Sequence, residues 1–275
     1  MSQAFQTLVI TERGAGVAQI NMSRPQVFNA FDEVMIGELD AAFAQLSQDD
    51  SVRVIVLAGE GKHFSAGADL QWMQRASEAS LAWNTADAHR FAGMLHRIAT
   101  CPKPTVARVQ GAALGGGVGL TCACDMAVAA DNASFAVSEA KFGILPAVIG
   151  PYVVNAVGKR NARYLALTTS RIDAATALSM GMVQRVVSAD ALDAEVDRVV
   201  TDLVAGGPQA QIEIKHLMDQ LSVAPVSDAV RELTASTIAR VRGTDEAREG
   251  FAAFKLVTTT LLTSGCSKRM RFSAS

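Results

Sequence analysis

Net charge of either sign, cysteine and long apolar runs are all scarce in this sequence, and each scarcity excludes a class of protein. The 275 residues carry a formal net charge of −2, with 49% hydrophobic and 19% charged residues. This balance is typical of a globular chain and argues against a disordered or nucleic-acid-binding one. No apolar stretch could span a membrane, and the first residues lack the pattern of a signal peptide. We therefore expect a cytoplasmic protein with neither nucleic-acid nor membrane partners.

The few cysteines argue against both disulfides and metal binding. Their spacing gives neither a paired disulfide framework nor two metal-binding pairs. They are Cys101, Cys122, Cys124 and Cys266. We expect reduced thiols that pack as small apolar groups, and we predict no metal site.

Two common catalytic signatures are missing as well. The glycine cluster at 115–119 lacks the spacing of a dinucleotide fingerprint, and no Gly-Lys-Ser/Thr follows it to form a phosphate loop. Ser65 lies outside any Gly-x-Ser-x-Gly turn, and none of the four histidines has a recognisable triad context. The sequence therefore disfavours both nucleotide cradling and serine-hydrolase chemistry.

Apolar periodicity predicts an α/β fold in which strands and helices alternate first and helices dominate last. Strand patterns occupy 7–10, 17–21, 52–58, 104–109, 125–130 and 134–137. Helical patterns occupy 34–46, 68–75, 83–99 and most of the chain from about 148 onwards, apart from 181–187. The segment Gly206-Gly-Pro208 is the best candidate for a hinge, because it breaks one helix and starts another.

The most informative segment is a glycine cluster at 111–120, Gly-Ala-Ala-Leu-Gly-Gly-Gly-Val-Gly-Leu. A helix whose first turn lacks side chains can direct unpaired backbone N–H groups at a developing oxyanion. Glycine equally suits a helix packed tightly against a strand, so the cluster alone leaves both interpretations open. Downstream, Glu139 is either a proton-transferring group or a solvated carboxylate at a strand end. Asp125 is expected to satisfy buried backbone amides.

A second loop, at 63–69, has the sequence His-Phe-Ser-Ala-Gly-Ala-Asp and could present another unpaired amide. It leads into an amphipathic helix, and Asp69 suits the first turn of that helix because a carboxylate interacts favourably with the helix dipole. Two such loops after buried strands are what polarisation of a carbonyl or thioester requires. The pair therefore favours an oxyanion hole more strongly than either loop alone.

Several short motifs follow one another along the chain. They are Ser23-Arg-Pro25, Asn29-Ala-Phe31, Phe64-Ser-Ala-Gly-Ala-Asp69, Pro102-Lys-Pro104, Gly111-Ala-Ala-Leu-Gly-Gly-Gly117, Cys124-Asp125 and Glu139. In this order and spacing they resemble the enoyl-CoA hydratase/isomerase, or crotonase, superfamily, from about Phe5 to about Phe254. The resemblance implies an acyl-CoA thioester as substrate, with no cofactor beyond its coenzyme A moiety.

The same resemblance implies an architecture. It predicts a crotonase-like (ClpP/crotonase) spiral of ββα units over 1–195 and a helical oligomerisation region at 196–255 that forms homotrimers or homohexamers. An atypical tail at 256–275 is either a genuine extension or the product of a shifted reading frame. We expect residues after about Lys255 to add nothing essential.

Carried over by position, the resemblance places the oxyanion hole on the backbone amides of Ala68 and Gly116. It implies contacts with coenzyme A along two segments, and the residues concerned are Arg24, Val27, Ala30, Ala66, Ala68, Asp69, Leu70, Gln71 and Gly116. Many relatives have lysine where this chain has Gln71, and lysine or a similar polar residue where it has Val27. Lys62 and Lys103 are therefore alternative phosphate contacts.

Two-glutamate hydratases of this family carry acids at positions that match Gly119 and Glu139, and here only Glu139 remains. Glu139 is thus the expected proton-transferring residue. A single acid at this position is also similar to the Δ3,Δ2-enoyl-CoA isomerases. Enoyl-CoA hydration is the leading interpretation, double-bond isomerisation is the alternative within the family, and a non-catalytic acyl-CoA-binding scaffold is the alternative of another class.

Residues 68–75 and 138–152 further resemble bacterial hydratases of the 3-methylglutaconyl-CoA or isohexenylglutaconyl-CoA type, which similarly lack the first acid. Substrates of those relatives carry a second carboxylate, which requires a cation in the acyl pocket. The candidates for that pocket are Trp72, Arg75, Gly119 and Lys141, although Trp72 is equally suited to the core. We therefore expect a branched or dicarboxylic enoyl-CoA as substrate.

Overall fold

The computed structural model of the protein describes residues 5–263. The chain divides into two compact units, one ending at Ala205 and the other beginning at Gly206. This division lies at the segment in which the sequence suggests a hinge. The boundary expected after residue 195 falls inside a helix, Leu192–Ala205.

Within residues 5–263, nine β-strands are interspersed with ten α-helices. The strands are β1 (Leu8–Gly14), β2 (Val17–Met22), β3 (Val54–Gly59), β4 (Thr105–Val109), β5 (Ala112–Leu114), β6 (Met126–Ala130), β7 (Ser134–Ala136), β8 (Ile172–Asp173) and β9 (Arg185–Val187). The helices are α1 (Glu33–Gln48), α2 (Leu70–Glu78), α3 (Leu81–Ala99), α4 (Gly116–Ala123), α5 (Gly150–Thr168), α6 (Ala174–Ser179), α7 (Leu192–Ala205), α8 (Pro208–Gln220), α9 (Asp228–Arg242) and α10 (Asp245–Thr263). The predicted α/β class with helices at the end is confirmed.

The larger sheet has the strand order β1-β2-β3-β4-β6-β9. Its first two strands form an antiparallel hairpin, and every later pair of neighbours is parallel. All six residues of β3 are buried, because each face of the sheet packs against its own apolar cluster. Ile55 and Leu57 belong to one cluster, and Val54 and Val56 belong to the other. Burial on both faces explains why β3 is apolar throughout instead of alternating with polar residues.

A smaller sheet, of order β5-β7-β8, brings the functional segments together. In this sheet β5 and β7 run parallel, with Ala112 opposite Ser134 and Leu114 opposite Ala136. The carboxyl ends of the two strands therefore lie at one edge, where the glycine cluster continues from β5 and Glu139 follows β7. The sequence pattern does not predict β5, because its three residues lie inside the glycine cluster.

The second unit contains the helices α8, α9 and α10. Within it, the Glu246 carboxylate accepts hydrogen bonds from the backbone N–H groups of Gln209 and Ala210, at 3.0 and 2.8 Å, and so caps the start of α8. Large apolar side chains of these helices are exposed, among them Ile214, Met218, Phe251 and Phe254. Residues 264–275 of the predicted tail lie outside the described residues.

The cysteines present in the described region occur as thiols. Cys101 and Cys124 are buried, and burial raises the pKa of the Cys122 thiol to about 12. Cys266 lies outside the described residues. Between residues 5 and 263, no group of three or more His, Cys, Asp or Glu side chains is placed to hold a metal ion. None of the helices in that range combines the length and apolar character needed to cross a bilayer.

Asp125 connects the starts of β4 and β6, in agreement with the structural role predicted from the sequence. Its Oδ2 accepts hydrogen bonds from the Thr105 N–H at 2.7 Å and from the Thr105 hydroxyl at 2.9 Å. The Asp125 N–H in turn donates to the Thr105 hydroxyl oxygen at 2.8 Å. Because Thr105 is fully buried, its N–H depends on this carboxylate for an acceptor.

Replacing Asp125 with alanine should lower the free energy of unfolding by about 1–3 kcal/mol, the typical cost of leaving a buried donor without an acceptor. Urea unfolding followed by circular dichroism measures the change. Asp131→Ala is the matched control, because Asp131 is exposed just past the other end of β6, and it should change stability by less than about 0.5 kcal/mol. Equal effects of the two substitutions would contradict the assigned role.

Candidate active site

A cleft of about 900 Å³ opens at the carboxyl edge of the smaller sheet. Its walls come from four segments, 24–30, 66–73, 114–116 and 136–144, together with Arg171. The residues that were expected from the sequence and that line this cleft are Arg24, Val27, Ala30, Ala66, Ala68, Asp69, Leu70, Gln71, Gly116, Glu139 and Lys141. The structure thus brings the predicted oxyanion, coenzyme A and proton-transfer residues to one surface.

The segment 65–69 lies between Phe31 and β5 and leaves one backbone N–H unused. Parallel bridges pair Ala68 with Phe31 and Ser65 with Ala113. The other N–H groups of the segment donate within the protein, namely Ser65 N to Ala112 O at 3.1 Å, Ala66 N to Phe28 O at 2.9 Å, Gly67 N to Ser65 Oγ at 3.1 Å and Asp69 N to Phe31 O at 3.0 Å. Among the described residues the Ala68 N–H has no acceptor, so it can donate to a ligand in the cleft.

Helix α4 begins at Gly116, whose N–H likewise has no acceptor in the part of the chain that the structure describes. The first N–H groups of a helix lack partners within the helix and carry a partial positive charge. A side chain is excluded at this position, because a Cβ on Gly116 would lie 2.1 Å from Cζ of Phe31. The glycine therefore lets the backbone approach both the aromatic ring and the cleft.

The two unused N–H groups are close neighbours. A Cβ on Gly67 would lie 2.5 Å from the carbonyl oxygen of Leu114 and 3.3 Å from the nitrogen of Gly116. Gly67 therefore packs directly against the start of α4, and its left-handed φ of 87° leads the chain into Ala68. Two adjacent N–H donors at the surface of one cleft form the arrangement that stabilises an oxyanion.

Glu139 lies beside these donors, at the start of the 3₁₀ turn Glu139–Phe142. A Cβ on Gly115 would lie 3.4 Å from its Oε1, and its Oε2 is buried with no hydrogen-bond partner among the described residues. Burial raises the pKa of the Glu139 carboxyl above its ordinary range, and backbone N–H donors offset only part of that rise. A half-buried carboxylate with one buried, unpartnered oxygen differs from the solvated strand-end group that the sequence left open.

The position of the missing first acid is filled by an aliphatic side chain. Gly119 is buried in α4 and does not line the cleft. A Cβ there would lie 2.4 Å from Cγ2 of Ile149 and 3.7 Å from Cδ1 of Leu95. No side chain at residue 119 fits unless Ile149 moves. Asp69, the other acid in the cleft lining, already binds Arg24 and caps α2, so it does not replace the missing acid.

Two other residues proposed for the acyl pocket also lie outside the lining. Trp72 is buried in the core, with its ring centroid 6.2 Å from that of Phe31 and 6.4 Å from that of Phe91. Arg75 is half exposed and pairs with Glu33 at 2.7 Å. Trp72 is therefore placed as a core residue and Arg75 as a surface residue, whereas Lys141 is in the cleft.

The lysines suggested for phosphate contacts are not in the cleft. Lys103 donates from Nζ to the Leu46 carbonyl oxygen at 2.8 Å and to the Asp49 carbonyl oxygen, beside the end of α1. Lys62 is exposed and does not line the cleft. The structure therefore does not bring either lysine to the candidate site.

Arg171 lines the cleft although the sequence gave no reason to select it. It directly precedes β8, whose two residues are too few to form a strand pattern. Because β8 is antiparallel to β7 with Ile172 opposite Phe135, Arg171 lies next to Ala136 and close to the Glu139 turn. Only the strand pairing, which is invisible in the sequence, could have indicated this residue.

The chain is similar over most of its length to a family model and to solved structures. The model described as enoyl-CoA hydratase/isomerase matches residues 12–257. A Rhizobium meliloti protein named a probable enoyl-CoA hydratase is 35% identical over 255 residues, covering 91% of this chain and 95% of that protein. The crystal structure of an enoyl-CoA hydratase from Shewanella pealeana aligns with a TM-score of 0.87 and 39% identity, over 91% of this chain and 93% of that chain. Pseudomonas aeruginosa AtuE aligns with a TM-score of 0.85 and 38% identity, over 90% of this chain and 96% of that chain. These similarities confirm the fold predicted from the sequence.

Gly119→Ala should lower the free energy of unfolding by about 1–3 kcal/mol, because the new methyl group overlaps Ile149 in a packed core. In a double-mutant cycle with Ile149→Ala, the cost of Gly119→Ala should fall markedly. Gly93→Ala is the matched control, since Gly93 lies inside α3 with open space around its Cβ position, and it should raise stability by about 0.5–1 kcal/mol. Additive effects at Gly119 and Ile149 would show that the two positions do not compete for space.

Proposed function

The chain belongs to the enoyl-CoA hydratase/isomerase family, and we propose that it is a lyase. In this proposal it adds water across the 2,3 double bond of an enoyl-CoA thioester. One observation carries the proposal. The unused N–H groups of Ala68 and Gly116 lie together in one cleft with the half-buried carboxylate of Glu139, whose Oε2 has no partner among the described residues. Two donors that hold a thioester oxygen and one carboxylate that transfers a proton are the minimum that this addition requires.

Ala68 and Gly116 supply the electrostatic part of the mechanism. When water adds to C3 of the enoyl group, an electron pair moves onto the thioester oxygen and an enolate forms. The two N–H groups stabilise this charge without reorganising, because the pairing of the 65–69 segment and the start of α4 already hold them in place. Removal of one such donor typically costs about 100-fold to 1000-fold in rate.

Glu139 supplies the proton transfer. Its carboxylate takes one proton from the attacking water as the oxygen of that water bonds to C3. It then returns a proton to C2 as the enolate collapses, so that the carboxylate is regenerated and one water molecule has been added. The unpartnered Oε2 leaves Glu139 with acceptor capacity that the protein itself does not use.

Isomerisation of a 3-enoyl-CoA is the second candidate, and one observation favours it. Ile149 excludes an acid at Gly119, and Asp69 is paired with Arg24 and with the start of α2, so Glu139 is the acid left for proton transfer. A single carboxylate suffices to take a proton from C2, which gives a dienolate whose oxygen the same two N–H groups stabilise, and to deliver that proton to C4. A non-catalytic acyl-CoA-binding scaffold remains the candidate of another class, and it makes no use of Glu139.

We assign the coenzyme A moiety to the part of the cleft formed by 24–30 and 66–73. The lining there includes Val27, Ala30, Ala66, Leu70 and Gln71, and Leu70 is largely exposed. Small and apolar residues along this wall suit the pantetheine arm, which must reach the two N–H donors from the outside. Assembly into homotrimers or homohexamers is part of the proposal, and the apolar side chains exposed on α8, α9 and α10 support it.

The acyl group, in this proposal, is branched or dicarboxylic, as in 3-methylglutaconyl-CoA. The support comes from two cations in the cleft lining, Lys141 and Arg171, on the side where Glu139 lies. Within residues 5–263, neither forms an ion pair with the protein. A distal carboxylate on the acyl group would supply the missing partner, and arginine is well suited to bind it through two parallel hydrogen bonds.

Glu139→Gln should lower kcat by about 100-fold to 10,000-fold, the contribution typical of a positioned acid–base group, and should leave the affinity for coenzyme A thioesters intact. The assay follows loss of the conjugated thioester with crotonyl-CoA and 3-methylglutaconyl-CoA, and its appearance from a 3-enoyl-CoA. Turnover of only the 3-enoyl substrate would identify an isomerase. Unchanged turnover in the variant would contradict the role of Glu139.

Glu139 should also determine how kcat/KM depends on pH. The reaction starts from the Glu139 carboxylate, and burial raises the pKa of that group. The value of kcat/KM should therefore be constant at high pH and should decrease as the pH falls through a pKa above the ordinary glutamate value, because protonation removes the base. A rate that increases as the pH falls through this range would show that the protonated form is the reactive one.

Arg171→Gln and Lys141→Gln should each raise KM for 3-methylglutaconyl-CoA about 10-fold or more, because a hydrogen bond to a charged group typically contributes about 1.5–3 kcal/mol. Crotonyl-CoA, which has no distal carboxylate, is the matched control substrate, and its KM should not change. An equal rise with both substrates would assign these cations to the coenzyme A moiety.

A further inference from the structure

We propose that Arg24 is a positioning residue that orients the Ala68 N–H by holding together the two backbone segments on either side of it. The inference deepens the proposed function, on which it rests. Family resemblance alone implies that Arg24 contacts coenzyme A. Arg24 lines the cleft, but its guanidinium group is already bound to other residues of the protein, and only 18% of the side chain is exposed.

The guanidinium group has three partners. Its Nη1 donates to the Ala30 carbonyl oxygen at 2.7 Å and lies 3.2 Å from Oδ2 of Asp32. Its Nη2 donates to Oδ2 of Asp69 at 3.1 Å. Ala30 and Asp32 flank Phe31, whereas Asp69 follows Ala68. Arg24 therefore links the residues that flank Phe31 to the residue that follows Ala68, on both sides of the backbone bridge between Phe31 and Ala68.

That bridge is short. It consists of two hydrogen bonds, from Phe31 N to Gly67 O at 2.8 Å and from Asp69 N to Phe31 O at 3.0 Å. The first bond ends on the carbonyl of the Gly67–Ala68 peptide, which also carries the Ala68 N–H, and the second bond is made by the next peptide. A small rotation of this peptide would turn the Ala68 N–H away from the cleft. Arg24 opposes that rotation because it binds the side chain of Asp69, the residue after Ala68.

Asp69 links the ion pair to the start of α2. Its Oδ1 accepts hydrogen bonds from the N–H groups of Gln71 at 2.9 Å and Trp72 at 3.3 Å, while its Oδ2 binds Arg24. One carboxylate thus caps the helix and holds the arginine at the same time. Without the arginine, the mostly buried carboxylates of Asp69 and Asp32 would lose the cation between them. Their mutual repulsion would then push apart the two segments that Arg24 holds.

The first test compares Arg24→Met with the parent protein on crotonyl-CoA and on crotonyl-pantetheine, which lacks the phosphates of coenzyme A. A positioning role predicts that kcat falls about 10-fold or more with both substrates, since a misplaced oxyanion donor costs at least that much, and that KM changes little. Arg24→Lys should restore part of the loss, because lysine keeps the charge but not the forked geometry. A rise in KM for crotonyl-CoA alone, with kcat unchanged, would overturn the proposal and assign Arg24 to a phosphate.

The second test needs no turnover. The absorbance of bound 4-dimethylaminocinnamoyl-CoA shifts to longer wavelength when its thioester carbonyl is polarised, so the shift reports the oxyanion donors directly. Arg24→Met should reduce this shift, and so should Asp69→Asn, which retains the helix cap but loses the ion pair. Arg97→Gln is the matched control, because Arg97 pairs with Asp40 at 2.5 Å between α3 and α1 and neither residue lines the cleft, and the shift should be unaltered. An unaltered shift in both Arg24→Met and Asp69→Asn would overturn the proposal.

The two tests separate this proposal from the proposed function. If the parent protein turns over no enoyl-CoA, the proposed hydratase activity fails, yet the spectral shift still reveals whether Arg24 orients the Ala68 donor. If the parent protein is active and the Arg24 variants retain both kcat and the shift, the activity stands and the positioning role fails.

Discussion

The site depends on one backbone arrangement, the pairing of the 65–69 segment with Phe31 on one side and with β5 on the other. This pairing uses the N–H groups of Ser65 and Asp69. Those of Ala66 and Gly67 donate to the Phe28 carbonyl and the Ser65 hydroxyl, so within the segment that of Ala68 is left for a ligand. Because β5 continues directly into α4, the same contacts place the Gly116 N–H beside it. The backbone therefore brings two donors to the cleft, and side chains such as Ser65 and Arg24 contact the segment that carries the first of them.

The rest of the cleft follows from what packs around these donors. Phe31 occupies the space in which a side chain of residue 116 would lie, and Ile149 occupies the space at residue 119. The second exclusion leaves no room for an acid at residue 119, so the proposed mechanism assigns the proton transfer to Glu139. Burial raises the pKa of Glu139 and so brings it closer to the value that suits a group which both accepts and donates a proton near neutrality.

The sequence predicted those parts of the structure that are encoded locally. The buried run of β3, the glycine start of α4 and the helix that follows Asp69 are all visible as periodicity, glycine content and capping residues. It did not reveal β5, β8 or Arg171, because two- and three-residue strands carry no pattern and their position depends on partners distant in the chain. For the same reason it could not decide between Lys141 in the cleft and Arg75 on the surface, although both are cations near the expected site. The family match is confirmed by comparison, whereas the acyl group it acts on remains a proposal.

The most direct test of the account is a crystal structure of the protein with acetoacetyl-CoA, whose enolate resembles the intermediate of hydration. We predict that the thioester oxygen lies about 2.7–3.1 Å from the backbone nitrogens of both Ala68 and Gly116, the range that oxyanion donors require. We further predict that the Glu139 carboxylate lies nearest to C2 and C3 of the acyl group. A thioester oxygen bound to other donors, or an acyl group placed away from Glu139, would contradict the central claim.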